Sequence, residues 1–197
     1  MYDYISGKIA SATATQVVID CGGVGYLMEV TLATYTQLKD SENAKLWIHE
    51  VIREDAHLLY GFASEGEREM FRLLLSVNGV GSATARIMLS SLSVNELSSA
   101  IVNGNTKTVQ QVKGIGTKTA QRIILELKDK VASSGMASNE DGSPTVSARR
   151  PMSSEKSDAQ AALVMLGFPR PSVEKVLKDI DDNMSVDQMM KLAMQRL

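Results

Sequence analysis

The chain has 197 residues, of which 44% are hydrophobic and 22% charged, as is typical of a soluble globular protein. Its apolar runs are all shorter than the roughly 18 residues of a membrane-spanning helix, and its first residues lack the apolar segment of a secretory signal. The lone cysteine, Cys21, excludes an internal disulfide and a cysteine-based zinc site, so we expect a cytoplasmic protein.

The net charge of -2 is unevenly distributed along the chain. Residues 1–63 contain four basic and eight acidic residues, whereas residues 64–133 contain nine basic and six acidic residues. A phosphate backbone responds to local charge rather than to the total. The middle segment is therefore the part of the chain that we expect to bind a nucleic acid, if any part does.

Residues 1–63 have the pattern of five short β-strands. Their apolar runs are rich in β-branched and aromatic residues and are separated by glycines, which are typical strand and turn signals. Five strands in so short a segment predict a small OB-fold β-barrel. The segment 31–43, between the third and fourth runs, is compatible with a short helix or with a loop.

From Ser64 onward the apolar period becomes helical and predicts a compact all-α domain over residues 64–132. Ser64 with Glu67, and Ser93 with Glu96, have the spacing of N-terminal capping boxes, in which the two residues satisfy each other's backbone amides.

The C-terminal third changes in composition. Residues 133–154 are rich in Ser, Gly, Pro and Asn and predict a flexible linker. Helical periodicity returns over residues 155–197, for which we predict a small three-helix, UBA-like bundle with a core of marginal size.

Two segments of the helical domain resemble each other. Gly79-Val80-Gly81 in residues 73–89 recurs as Gly114-Ile115-Gly116 in residues 108–127, and an alanine follows four residues later in both copies. Such an internal repeat predicts a duplicated unit of helix, Gly-apolar-Gly hairpin and helix.

The repeated unit has the properties of a phosphate-binding backbone. Its glycines permit a sharp turn without an obstructing Cβ atom, and the apolar residue between them can fill the gap between the helices. The second helix then begins with free N–H groups and a positive dipole end, where a phosphate can bind without recognition of the bases.

For a single copy of this unit, the alternative is a tight turn between helices that has only a packing role. The second copy, with basic residues nearby, favours a DNA-binding role. We interpret Lys128 and Lys130 as parts of a solvated helix face.

These motifs, in this order, resemble those of the RuvA family. The most specific segments are NGVG at 78–81, KGIGTKTAQRIILELKDK at 113–130, REDAHLLYGF at 53–62, CGGVGY at 21–26 and ALVMLGF at 162–168. The resemblance implies a non-catalytic protein without a cofactor that binds Holliday junctions and recruits the RuvB ATPase for branch migration. It also implies a homotetramer or a double-layered octamer, with the RuvC resolvase as a further partner.

The resemblance assigns DNA-binding residues to the two hairpins. They are Asn78, Gly79 and Gly81 in the first hairpin, and Gly114, Gly116, Lys118 and Arg122 in the second. Ala83 and Thr117 stand where lysines are common in the family. These replacements weaken the expected side-chain contacts and leave the backbone contacts unchanged.

Glu54 and Asp55 lie between two apolar runs, which predicts a hairpin turn, where such residues are common for purely local reasons. A magnesium site is a second alternative, but no further carboxylate cluster accompanies the pair. The resemblance implies that they form an acidic pin at the junction centre, where fourfold symmetry gathers the carboxylates of several subunits and repels phosphates.

The C-terminal bundle contains the candidates for RuvB docking, which the resemblance places among its apolar residues. They are Leu163, Leu166, Gly167, Phe168 and Ile180. The alternative is that these residues form only the core of the bundle and, for Gly167, a helix C-cap.

Three rival functions remain open. A glycosylase or nuclease can also carry this hairpin, but the chain contains no Walker A, HExxH or EF-hand motif. A protein-interaction scaffold would leave the basic residues of the second hairpin unexplained. A single-strand-binding barrel would need basic residues among the aromatic residues of segment 1–63.

Overall fold

The computed structural model of the chain describes residues 1–134, 155–181 and 184–196. It divides into two compact units, residues 1–141 and 142–197. In the described parts of the chain, no helix is both long and apolar enough to cross a bilayer. The predicted linker, residues 133–154, lies outside the described residues from residue 135 onward.

The first unit begins with a closed β-barrel of strand order β1-β2-β3-β5-β4. The strands are Tyr4–Ala12 (β1), Gln16–Cys21 (β2), Val24–Val30 (β3), Asn43–Ile52 (β4) and His57–Phe62 (β5). Neighbouring strands are antiparallel except β3 and β5, which pair in parallel. The prediction of an OB-fold barrel is confirmed.

Alternating apolar side chains fill the barrel, because successive residues of a strand point to opposite faces. The fully buried ones include Val17, Ile19, Met28, Leu46 and Ile48. The segment that the sequence left open forms helix α1, Leu32–Leu38, between β3 and β4. The Thr31 hydroxyl caps this helix by accepting a hydrogen bond from the Thr34 amide at 3.0 Å, which satisfies one open donor of its first turn.

The rest of the first unit is helical and shares one apolar core. The helices are Glu65–Leu75 (α2), Ser82–Ser91 (α3), Val94–Val102 (α4), Thr106–Gln110 (α5) and Thr117–Ser133 (α6). Phe71, Leu74, Met88, Leu97 and Ile101 are fully buried in this core. In the four longer helices the buried apolar residues recur at intervals of one, three and four, so that one face is buried; the short α5 buries Val109.

Glu67 joins the helices to the barrel. Its carboxylate accepts hydrogen bonds from the hydroxyls of Thr31 and Thr34, the latter at 2.7 Å. Burial raises the pKa of Glu67, and the two hydroxyl groups oppose that shift. The capping box predicted at Ser64 is therefore only half formed. Ser64 accepts from the Glu67 amide, but the Glu67 side chain turns away to the barrel.

Arg68 makes a second connection at the same interface. Its side chain is buried, and Nη1 donates to the carboxylate of Asp3 at 2.6 Å and to the carbonyl of Asp3 at 2.9 Å. The guanidinium also lies 4.9 Å from the centre of the Trp47 ring, within cation–π range. A buried polar group is stable only while its hydrogen-bond partner is in place. The contacts of Glu67 and Arg68 therefore hold the helices and the barrel together as one compact unit.

The second unit contains helices Glu155–Met165 (α7), Arg170–Lys178 (α8) and Val186–Met194 (α9), as predicted for a three-helix bundle. Gly167 ends α7 with a φ of +97°. The Phe168 amide donates to the Leu163 carbonyl at 3.2 Å, and the Gly167 amide to the Val164 carbonyl at 3.0 Å. These are the two bonds of a Schellman cap, so the predicted helix end at Gly167 is confirmed.

Candidate nucleic-acid interface

The first hairpin, residues 76–81, joins α2 to α3. The Val80 amide donates to the Val77 carbonyl at 3.1 Å, and Gly79 has a φ of +89°, a left-handed conformation that favours glycine. Val80 is buried in the helical core, whereas Gly79 and Gly81 are exposed. The turn therefore places its apolar residue inside and its glycines outside.

The second hairpin, residues 111–116, joins α5 to α6 with the same geometry. The Ile115 amide donates to the Val112 carbonyl at 3.1 Å, Gly114 has a φ of +91°, and Ile115 is buried in the same core. Gly114 and Gly116 are exposed. The repeat read from the sequence is therefore a repeat of backbone structure as well.

The helices that follow the two hairpins begin without a side-chain cap. Their N-cap residues are Gly81 and Gly116, which offer no acceptor. The other helices of residues 1–134 have N-caps whose side chains accept a backbone hydrogen bond, namely Thr31, Ser64, Ser93 and Asn105. Because the first-turn amides of a helix have no partner within the helix, α3 and α6 present open donors and a positive dipole end to solvent.

The second glycine of each hairpin is not required by the fold itself. Gly81 and Gly116 have φ values of -89° and -80°, which any residue adopts. A Cβ atom at either position would meet no heavy atom of the chain within 4 Å. The space beside each open helix end is therefore clear of other atoms of the described chain.

Basic side chains surround the second hairpin. Lys107, Lys113 and Lys118 are exposed, and none of them belongs to an ion pair within residues 1–134. Their charges are therefore available to a ligand. Ala83 and Thr117, at which the family resemblance led us to expect lysine, are exposed and add no charge to either hairpin.

Arg122 contacts the first hairpin although it belongs to the second motif. Its Nη1 atom donates to the carbonyl of Asn78 at 3.0 Å, and its Nε atom lies 4.0 Å from the carboxylate of Glu126. Lys130 Nζ also donates to the hydroxyl of Ser76 at 3.3 Å. Lys128 and Lys130 are both exposed, as expected for a solvated helix face, and Lys130 makes this contact in addition.

The barrel fixes the orientation of α3, which carries the open end behind the first hairpin. The Tyr60 hydroxyl donates to Ser82 Oγ at 2.9 Å, and Arg86 forms an ion pair with Glu29 of β3. Sequence reasoning missed these contacts. The residues are 22 or more positions apart in the chain, and no local pattern links them.

Glu54 and Asp55 occupy the tip of the β4–β5 hairpin, as the apolar flanks predict. The strands pair up to Ile52 and His57, and the Arg53 amide closes the turn by donating to the Ala56 carbonyl at 2.8 Å. Both carboxylates are exposed. Among the residues that the structure describes, no group of three or more metal-ligating side chains is present at this turn or elsewhere.

Some of the docking candidates in the second unit are buried in its core, and others are exposed on its surface. Leu163 and Ile180 are buried among the three helices, so we correct their assignment, because a buried side chain cannot present a docking surface. Leu166 is 60% exposed, and its neighbour Met165, which was not among the candidates, is 88% exposed. Phe168 is partly buried against the core.

The chain is similar in sequence to proteins from several organisms. The chain is 44% identical to the Holliday junction branch migration complex subunit RuvA of Bacteroides fragilis over the whole length of both proteins. It is 43% identical to the protein of the same name from Christiangramia forsetii and 42% identical to that from Flavobacterium psychrophilum, again over the full length of each. The chain belongs to the RuvA family.

The family models divide the chain as the structure does. The RuvA N-terminal domain matches residues 1–61, which form the barrel, and the RuvA C-terminal domain matches residues 154–197, which contain α7 to α9. Between them, a SAM-like tandem of helix-hairpin-helix motifs matches residues 71–129. Both glycine hairpins of this RuvA family member lie within that match.

Proposed function

We propose that the chain binds Holliday junctions without sequence specificity as the DNA-binding subunit of a branch-migration complex. The observation that carries this proposal is the pair of exposed glycine hairpins, each followed by a helix with an open N-terminus. An open helix end binds phosphate through its amides and its dipole. Neither contact distinguishes one base from another.

A direct contact between the two motifs supports binding of both hairpins to a single duplex arm. Arg122, which lies six residues beyond Gly116 in α6, donates to the carbonyl of Asn78 in the first hairpin at 3.0 Å. In this proposal each hairpin binds a phosphate of the same arm, and Lys113 and Lys118 add positive charge beside the second hairpin.

Glu54 and Asp55 act on DNA by repulsion in this proposal. Both are exposed at a hairpin tip, where an assembly with fourfold symmetry would gather them around a common axis. Grouped carboxylates repel phosphates, so that a continuous duplex is disfavoured there and an open, square-planar junction is favoured. This role supplies the preference for four-way DNA that the hairpins alone do not provide.

The assembly in this proposal is a homotetramer, or an octamer of two layers, that recruits the RuvB ATPase and is recognised by the RuvC resolvase. The relatives are named as subunits of a branch-migration complex, which requires a motor in addition to a DNA-binding subunit. Val164, Met165 and Leu166 form an exposed apolar group at the end of α7, and exposed apolar patches of this kind mark contact sites. The single cysteine fits a reducing compartment, and we therefore assign the protein to the cytoplasm.

The test is a titration of the purified chain against a synthetic immobile four-way junction and a linear duplex of equal length. We expect tighter binding to the junction, independent of arm sequence, and a steep decrease in affinity as salt rises. Solution mass with and without the junction gives the number of subunits. Equal affinity for junction and duplex at every salt concentration would contradict the proposal.

The division of labour between the two units is tested by deletion of residues 155–197, which contain α7, α8 and α9. We expect the remaining unit to bind the junction with unchanged affinity and to fail to recruit the motor. Loss of junction binding by a folded deletion variant would contradict this division.

A further inference from the structure

Helix α6 carries a stripe of charged side chains that faces the first hairpin. Arg122, Glu126 and Lys130 are spaced at intervals of four residues and so lie on one side of the helix. Arg122 donates to the Asn78 carbonyl at 3.0 Å, and Lys130 donates to the Ser76 hydroxyl at 3.3 Å. Glu126 lies 4.0 Å from Arg122. The start and the middle of the hairpin each receive a donor from α6.

We propose that this stripe braces the first hairpin and holds the open ends of α3 and α6 at a fixed separation, with Arg122 as the main positioning residue. The inference rests on the proposed function, because the fixed separation matters only if both ends bind one DNA arm. A preordered pair of sites loses less conformational entropy on binding than two sites that move independently.

The conformation of the first hairpin explains why a brace is useful. Within the turn, one backbone hydrogen bond, from the Val80 amide to the Val77 carbonyl, closes the loop. Gly79, which has the greatest conformational freedom, is exposed in the middle of it. The Arg122 contact restrains the peptide group between Asn78 and Gly79, because the Asn78 carbonyl is the acceptor.

The brace is not a general property of the repeated motif. The 35-residue offset between the two copies places Ile87 of α3 where α6 has Arg122. Ile87 is apolar and 45% exposed, so it cannot donate a hydrogen bond to the second hairpin. The support therefore runs in one direction, from the second motif to the first.

Two roles of Arg122 make different predictions. If Arg122 acted only as a charge on DNA, its removal would leave the free protein unchanged and would lower the salt slope of binding by about 0.9. If it braces the hairpin, its removal changes the free protein before any DNA is added. The amide of Val80 reports on this change, because its hydrogen bond closes the first hairpin. The amide of Ile115 makes the equivalent bond in the second hairpin and is an internal control.

The experiment measures hydrogen exchange of these two amides by NMR in the full-length chain and in the variants Arg122→Ala, Lys130→Ala and Lys118→Ala. We expect the Val80 amide to exchange about fivefold faster in Arg122→Ala, as for the loss of one charge-assisted hydrogen bond at a partly exposed site, and somewhat faster in Lys130→Ala. The Ile115 amide should be unchanged, which separates a local brace from general destabilisation. Lys118→Ala removes a charge from the same helix without a contact to the first hairpin and should leave both amides unchanged.

Junction titrations complete the test. We expect Arg122→Ala to bind the four-way junction about fivefold more weakly at fixed salt, in parallel with the exchange of Val80. Unchanged Val80 exchange in Arg122→Ala overturns the inference, and so does faster exchange with undiminished junction affinity. If the unmodified chain bound no junction, the proposed function would fail, while the exchange experiment would still decide whether the brace exists.

Discussion

Replacement of Gly81 and Gly116 by alanine should separate phosphate binding from folding. Both residues have ordinary negative φ values and open space at the Cβ position, so alanine fits without strain. Alanine is a poorer N-cap than glycine by roughly 0.5–1 kcal/mol. The lower entropy of the unfolded chain offsets about 0.4–1 kcal/mol of that loss. We therefore expect the free energy of unfolding to change by less than about 1 kcal/mol for each substitution.

The effect on DNA binding should be much larger. The added methyl group stands beside the open amides of α3 or α6 and keeps a phosphate oxygen beyond hydrogen-bonding distance. A hydrogen bond to a charged group contributes about 1.5–3 kcal/mol. Its loss corresponds to a roughly tenfold to 150-fold higher Kd for each hairpin. The double variant should lose at least about 100-fold, since separated sites contribute additively.

The assay is a fluorescence anisotropy titration with a labelled four-way junction, accompanied by urea denaturation of each variant. The salt dependence of binding should remain nearly unchanged, because neither substitution removes a charge. Gly66→Ala is the matched control. It adds a methyl group to open space in the first turn of α2, at the far end of that helix from the first hairpin, and should bind as the parent chain does. Parent-level affinity of a folded Gly81→Ala, Gly116→Ala double variant would refute the assignment of the hairpin amides to phosphate binding.

Three further predictions concern the turns and the interface between barrel and helices. Gly79→Ala and Gly114→Ala should each destabilise the fold by about 1–2 kcal/mol, because φ values of +89° and +91° are left-handed; an unchanged thermal midpoint would contradict this. Glu54→Gln combined with Asp55→Asn should strengthen binding to plain duplex in a band-shift assay at fixed salt, and unchanged duplex affinity would remove the support for the acidic pin. The raised pKa of Glu67 means that the parent chain should lose stability as pH rises from the usual 4.5 through the folded-state pKa. The variant Glu67→Gln should lack this loss of stability. If the free energies of unfolding of the two proteins changed in parallel between pH 4 and pH 8, roughly the range in which such a carboxyl titrates, the raised pKa of Glu67 would be contradicted.

The parts of the fold that were predictable depend on short-range patterns. Strand alternation and helical spacing of apolar residues located the barrel and the helical domain, and the Gly-apolar-Gly repeat located both hairpins. Helix α1 was left open because its seven residues are too few to establish a helical period. The cap that starts it, Thr31, is visible in the sequence only once the helix is known.

The contacts that join distant segments were not predictable from one sequence. Glu67 lies 36 residues from Thr31, and Arg122 lies 44 residues from Asn78. A local pattern reports only on neighbours along a strand or helix. The end of α7 shows that burial, too, could not be predicted from the sequence. Leu163 and Leu166 are both leucines three positions apart, yet Leu163 is buried and Leu166 is exposed.

The two hairpins have nearly identical backbones, whereas the side chains around them differ. Both have a left-handed first glycine, a buried apolar residue and an uncapped helix. Ser82 and Arg86 of α3 contact the barrel, while Arg122 and Lys130 of α6 contact the first hairpin. If backbone amides bind the phosphates, the side chains of each motif are available for structural contacts. In that case the chain can lack lysine at Ala83 and still bind a phosphate at the first hairpin, because the barrel contacts α3 and side chains of α6 contact the hairpin in front of it.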